Sequence, residues 1–183
     1  MLELLFNMKY RDELIRAMDM LGQHDNTIFL GQSVEVEGTA MFGTLNNVPM
    51  EKRLEMPVCE EMQAGMANGL ALSGMVPISI FPRWNFLLLA ANQIVNHLDK
   101  IPDFSTYVPK VIIRVGIGSE RPLHPQFQHV GDFTDAFKLM CKNINVVRLD
   151  EPEQIYPAYT EAYMRQDRVS TILVEWSDYY NEK

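Results

Sequence analysis

Apolar residues recur along this chain in two rhythms. Leu14, Ile15, Met18 and Leu21 fall at helical spacing and stop at Gly22, which predicts a helix over 8–21. Elsewhere the apolar residues come as short unbroken runs: TIFLG (27–31), VPISIF (76–81), KVIIRVG (110–116), NVVRL (145–149) and STILVEW (170–176). Such runs, without alternation, are the pattern of strands buried on both faces. Helical stretches over 60–72, 84–98, 132–142 and 153–165 lie between them. Apolar strands alternating with helices predict a three-layer α/β/α architecture around a mostly parallel, doubly wound sheet, built as a single domain over 1–183. Residues 32–57 contain Gly38, Gly43, Asn46, Asn47 and Pro49 with no clear period and read as one long loop, a kind that tends to carry function.

In sheets of this kind ligands bind beyond the carboxyl ends of the strands. The loops after Gly31, Phe81 and Gly116 are therefore where chemistry is expected. The charge narrows the ligand classes. A net charge of −8 over 183 residues and a pI near 5.0 argue against nucleic-acid or anionic-membrane partners, which need a basic face. The longest apolar stretch, WNFLLLAANQIV, is interrupted by Asn85, Asn92 and Gln93 and falls short of a membrane span. The N-terminal MLELLFNMKYRDEL lacks the features of a signal peptide. With two cysteines, Cys59 and Cys141, forming neither a disulfide framework nor a zinc set, the expected compartment is the cytoplasm.

Several chemistries drop out on inspection. There is no GxxxxGK[ST], and GIGSER (116–121) lacks the last glycine of a dinucleotide fingerprint, so a flavodoxin-like nucleotide module has no phosphate loop here. His124 and His129 lie five apart in a loop after a strand, but nothing is spaced to complete a metal set. Either is instead a candidate acid–base or hydrogen-bonding group. His24 reads as solvated, and His97, on a helix ending near Lys100, as a residue that suits the helix dipole. Cys59, just before a helix start, has no base beside it and reads as a packed thiol. Leu87–Leu89 read as core, while Phe86, at the start of a helix after a strand, is placed to face a ligand. Glu60 and Glu61 begin the helix over 60–72; the plain reading is a favourable interaction with its dipole, about 0.3–1 kcal/mol each. Gly65 and Gly69, four apart on one helix face, allow close packing of another helix or a subunit. Such packing would bury Glu60 and suit it to proton transfer.

The stretch MPVCEEMQAGMANGLALSGMVPISIFPRWNFLLLAANQIVNHLDK resembles the pyrimidine-binding domain of the transketolase family. It looks most like the β subunits of 2-oxoacid dehydrogenase decarboxylase components, with deoxyxylulose-phosphate synthase a further cousin. The matching residues are Pro57, Glu60, Gly65, Gly69, Gly74, Pro77, Phe86, Gln93, Ile94 and Asn96; upstream Gly31 and Val34 match, and downstream HVGDF at His129. The resemblance implies a thiamin-diphosphate-binding fold and assigns roles. Glu60 would hydrogen-bond N1′ of the aminopyrimidine and promote the tautomer that deprotonates the thiazolium ring. Phe86 would stack on the pyrimidine, the backbone at Val58 would contact it, and His129, or His124 in its place, would face the substrate.

The GDG…N signature that holds magnesium and diphosphate is absent. The resemblance therefore implies a pyrimidine-binding subunit active only with a diphosphate-binding chain that carries most of the Mg2+ contacts, as in an α2β2 assembly. The reaction would be 2-oxoacid decarboxylation or ketol or acyl transfer on a 2-oxoacid or ketose substrate. Gln32 and Ser33 stand where the family often has acids. The alternative is a non-catalytic structural or regulatory subunit that keeps the fold.

Overall fold

The computed structural model describes residues 8–118, 125–167 and 169–180. Six strands, β1 (Thr27–Gly31), β2 (Arg53–Glu55), β3 (Val76–Phe81), β4 (Ile112–Ile117), β5 (Ile144–Leu149) and β6 (Ser170–Trp176), pair in the order β2-β1-β3-β4-β6-β5. Every pairing is parallel, so the α/β reading holds and the sheet is wholly rather than mostly parallel. Alternate side chains of each strand enter opposite cores, because successive side chains point to opposite faces.

Helix α1 (Tyr10–Gly22) and the later α6 (Pro152–Met164) cover one face, packing Leu14, Met18, Ile155 and Tyr159 against Phe29, Ile78, Ile112 and Leu173. The other face meets α2 (Glu60–Leu72), the helical segment that begins with α3 (Trp84–Leu87), and α5 (Thr134–Met140). There Ala64, Ala67, Ala71, Leu87, Ile94 and Phe137 close over Leu30, Phe81, Ile113 and Val174. Small alanines on α2 let it lie close to the sheet. A short α4 (Ile101–Phe104) leads toward β4.

Four expectations need correction. The supposed loop 32–57 contains helical turns at Ala40–Leu45 and Met50–Lys52 and the edge strand β2. Three residues are too few to show a period, and β2 is fixed by its tertiary contacts: buried Arg53 donates from Nε to the Val48 carbonyl at 3.2 Å and from Nη1 to that of Val34 at 3.1 Å. The helix expected over 84–98 is not uniform. It tightens to a 3₁₀ turn at Leu88–Ala90 and widens to a π-helix at Gln93–Leu98, where Asn68 Nδ2 of α2 donates to the Gln93 carbonyl at 3.0 Å. A side chain entering the ladder is a recognised cause of such a break. Of the leucines assigned to core only Leu87 is buried; Leu88 and Leu89 are 39% and 63% exposed. Cys59 is exposed rather than packed, since the residue before a first helical turn here faces outward, while Cys141 is buried.

One feature of the α1–α6 layer has no counterpart in the sequence reading. Arg114 of β4 and Glu175 of β6 are fully buried and paired through two bonds, Nε to Oε1 at 2.8 Å and Nη2 to Oε2 at 2.9 Å. Tyr159 and Tyr180 both donate to the same carboxylate, the latter at 2.6 Å, and Arg114 Nη1 donates to Thr44 Oγ1 at 3.1 Å. Burial and the Glu175 charge push both phenols well above their ordinary pKa. Against burial, Glu175 holds the guanidinium above its own.

Candidate active site at the carboxyl ends of the strands

Chain geometry brings the β1, β3 and β4 loops to one end of the sheet. At the end of β1 a side chain on Gly31 would lie 2.5 Å from the Ile80 carbonyl, so glycine is required for β1 and β3 to meet there before the chain turns off at Gln32. Helix α2 starts at Glu60, and its first turn is anchored by Gln63. That buried amide donates from Nε2 to Ser79 Oγ at 3.1 Å and to the Ile80 carbonyl at 2.9 Å, tying the helix start to the end of β3.

Glu60 is consequently 5% exposed, with Gln32 Nε2 donating to its Oε1 at 3.3 Å. Among the described residues its Oε2 accepts no hydrogen bond. Glu61 points outward and accepts from Asn92 Nδ2 at 3.2 Å, as a helix-end residue should. Burial of Glu60 does not come from the glycines. Gly65 faces the Gln93 side chain at 3.7 Å, and Gly69 has no neighbour within 4 Å.

Phe86 and His129, 43 positions apart, meet with ring centroids 5.0 Å apart at an interplanar angle of 44°. Two side chains, Arg83 of the β3–α3 loop and Asn85 of the first turn of α3, hold the histidine segment in place. Arg83 Nη1 donates to the His129 carbonyl at 3.1 Å, and Asn85 Oδ1 accepts the Gly131 amide at 3.2 Å. Burial lowers the pKa of the Arg83 guanidinium, against the attraction of Asp178. His129 Nδ1 is buried and, among the described residues, has no hydrogen-bond partner. Val58 is 79% exposed. His124 lies outside the described residues. His24 is not simply solvated, because it stacks on Tyr163 at 4.0 Å.

The β1 loop closes around a further charged group. The Glu55 carboxylate, at the end of β2, accepts backbone N–H bonds from Ser33 at 2.6 Å and from Val34 and Glu35 at 2.8 Å, with Val36 at 3.4 Å. Burial works against its charge, yet these amides hold its pKa below the usual carboxylate range. Sequence reasoning missed Glu55 and Gln63. For Gln63 a signal existed: a polar residue three after Glu60 shares its helix face, and a buried face with two polar groups invites pairing.

The arrangement offers a buried carboxylate with one oxygen uncommitted, an aromatic ring in contact with a histidine, and an unpartnered buried imidazole nitrogen. A planar heteroaromatic ring with hydrogen-bonding edges fits this donor set. Among the described residues, no group of three His, Cys, Asp or Glu is placed to hold a metal ion, and no helix is long and apolar enough to cross a membrane.

A family model described as the transketolase pyrimidine-binding domain matches residues 7–181. The chain is 32% identical over 98 residues to the 2-oxoisovalerate dehydrogenase subunit beta of Bacillus subtilis, covering 51% of this chain and 30% of that protein. It is 31% identical over 146 residues to the mitochondrial pyruvate dehydrogenase E1 component subunit beta of Caenorhabditis elegans, covering 76% of this chain and 41% of that one. The matches thus span less than half the length of these relatives. Among solved structures, the inactive β4 tetramer of a split-gene transketolase superposes with a TM-score of 0.70 at 15% identity, over 94% of this chain and 52% of the other. At that identity the likeness speaks to the fold.

Proposed function

Because this chain belongs to the family of transketolase pyrimidine-binding domains, we propose that it is the pyrimidine-binding subunit of a split thiamin-diphosphate enzyme and works with a second chain. The observation that carries this reading is Glu60, a buried carboxylate at the head of α2 with Oε2 uncommitted. Bound thiamin diphosphate supplies a nucleophilic thiazolium carbon for attack on a substrate carbonyl. Glu60 holds a proton at N1′ of the aminopyrimidine through a charge-assisted hydrogen bond, which a desolvated carboxylate makes strongly. Phe86 would stack on the pyrimidine, the backbone at Val58 would contact it, and His129 would face the substrate.

The partner chain holds the diphosphate and Mg2+, in an α2β2 arrangement in the cytoplasm. The substrate class is a 2-oxoacid or ketose, undergoing decarboxylation or ketol or acyl transfer. Partner dependence is supported by the two relatives above, each described as a subunit beta. It is supported also by the outer face of α2 and its neighbour, where Met62, Met66, Leu88 and Leu89 stay exposed beside the open Gly69. That face is the one we assign to subunit packing.

The test is to purify the chain with whatever chain accompanies it and measure bound thiamin diphosphate by mass spectrometry. Near-stoichiometric cofactor is expected. In that complex Glu60→Gln should leave assembly intact and lower activity by about 10²–10³-fold. A stable complex that takes up no cofactor after addition of thiamin diphosphate and magnesium would refute the reading and favour a scaffold subunit.

A further inference from the structure

We propose that Glu55 and Gln32 act together as positioning residues for Glu60: the Glu55 carboxylate gathers the backbone of 33–36, and this aims the Gln32 amide at one oxygen of Glu60. The inference rests on the reading of Glu60 as the cofactor-facing carboxylate and adds how that carboxylate is held.

The arrangement runs unbroken from strand end to site. Glu55, the last residue of β2, receives the amides of Ser33, Val34, Glu35 and Val36, and its own backbone N–H returns a bond to Glu35 Oε1 at 3.1 Å. A loop tied from both sides in this way has little freedom. Ser33 sits at φ 57°, in the left-handed region, which a residue with a Cβ occupies only when its surroundings over-determine it. The turn immediately follows Gln32, whose Nε2 reaches Glu60 Oε1 at 3.3 Å.

The chemistry explains why an amide serves here. The terminal torsion of a glutamate is broad and two-fold, so a carboxylate with no partner sweeps its plane. An N–H donated to Oε1 fixes that plane, leaving Oε2 to face a ligand. An amide neither gives nor takes a proton near neutral pH, so Gln32 orients Glu60 without competing for the proton it handles. A carboxylate at position 32 would instead place two like charges together and force one to hold a proton.

The deciding measurement is NMR of the full chain at neutral pH, following amide exchange at 33–36, the Gln32 side-chain amide and the Glu60 carboxyl carbon. Glu55→Gln should speed exchange at 33–36 by roughly tenfold or more, the scale of a lost hydrogen bond to a charged group, and shift the Gln32 amide to its position in Glu60→Ala. Unchanged exchange, or opened amides with the Gln32 resonance unmoved, would overturn the proposal. Should Glu55→Gln lose protection in β3 and β4 as well, Gln32→Leu decides from the other end. It should leave 33–36 protected and move the Glu60 carboxyl resonance; no movement overturns the proposal. With the native second chain present, Gln32→Leu should also weaken thiamin diphosphate binding roughly tenfold, and equal binding by wild type and variant counts against it. If neither binds the cofactor, the function reading fails while the resonances still decide the positioning.

Discussion

Replacing Arg114 with methionine tests what the buried charge cluster contributes. The guanidinium and the Glu175 carboxylate are both wholly removed from solvent, and the pair is bidentate. Removing one partner of such a pair leaves an uncompensated buried charge and costs about 3–5 kcal/mol. For a chain of this size each kcal/mol moves the melting temperature by about 2–4 °C, so Arg114→Met should melt about 6–20 °C below wild type. Part of that loss belongs to the charge left behind and part to the vacated contact with Thr44 Oγ1. A second substitution separates them. Glu175→Gln added to Arg114→Met removes the stranded charge while its carbonyl still accepts from Tyr159 or Tyr180, so the double variant should regain about 1–3 kcal/mol.

The assay is urea and thermal unfolding followed by circular dichroism at fixed protein concentration, run on wild type, both single variants and the double variant as a cycle. Strong non-additivity is expected, the double variant being more stable than the sum of the singles implies. Additive losses would refute the reasoning, because they would mean that each side chain matters for its volume alone and that the two charges do not interact.

Three further outcomes follow from particular groups. Glu55 has its pKa lowered in the folded chain, so its contribution is fully present above the unfolded value, near pH 4.3, and is lost as pH falls through the lower folded value. Amide exchange at 33–36 should therefore accelerate in acid before β3 and β4 open; simultaneous opening would contradict it. Cys59 is exposed, whereas burial pushes the Cys141 thiol up to about 11, so iodoacetamide at pH 7.5 should label one cysteine per chain quickly, and rapid labelling of Cys141 would contradict the packing. Gly69→Ala meets no atom within 4 Å and should stabilise the isolated chain by about 0.5–1 kcal/mol, while weakening assembly if that face packs against a subunit. A variant neutral in both readouts would count against the subunit face.

How much of this was legible in the sequence depended on how far apart the cooperating residues lie. The parallel α/β sheet was legible because apolar runs and helical spacing are local patterns, and five of the six strands carried one. Strand β2 carried none, and the non-uniform helix over 84–98 depends on a contact from α2 that no window around Gln93 contains. The candidate site divides in the same way. Glu60 and Phe86 lie on one continuous stretch whose resemblance to a known family could be read directly. Their supports could not: Gln32 lies 28 residues from Glu60, and Glu55 lies 19–22 residues from the amides it binds. Those separations become contacts only after β2, β1 and β3 align in register, with Gly31 opposite both Glu55 and Ile80.

Arg114 and Glu175 show that a long separation need not be silent. Each is the single charge of its strand, and the two charges have opposite sign. A single charge in a strand buried on both faces cannot be solvated, so it must find a partner at the same depth and on the same face. Arg114 aligns with Leu173, two residues from Glu175, and side chains two apart on a strand share a face, so the pairing of β4 with β6 brings the two charges together. The same reasoning extends to the tyrosines. With both ends of the pair out of water, each remaining carboxylate lone pair needs a donor, and Tyr159 and Tyr180 supply it from α6 and from the chain just beyond β6. Two unmatched charges in buried strands therefore carry information about strand order that hydrophobic periodicity lacks.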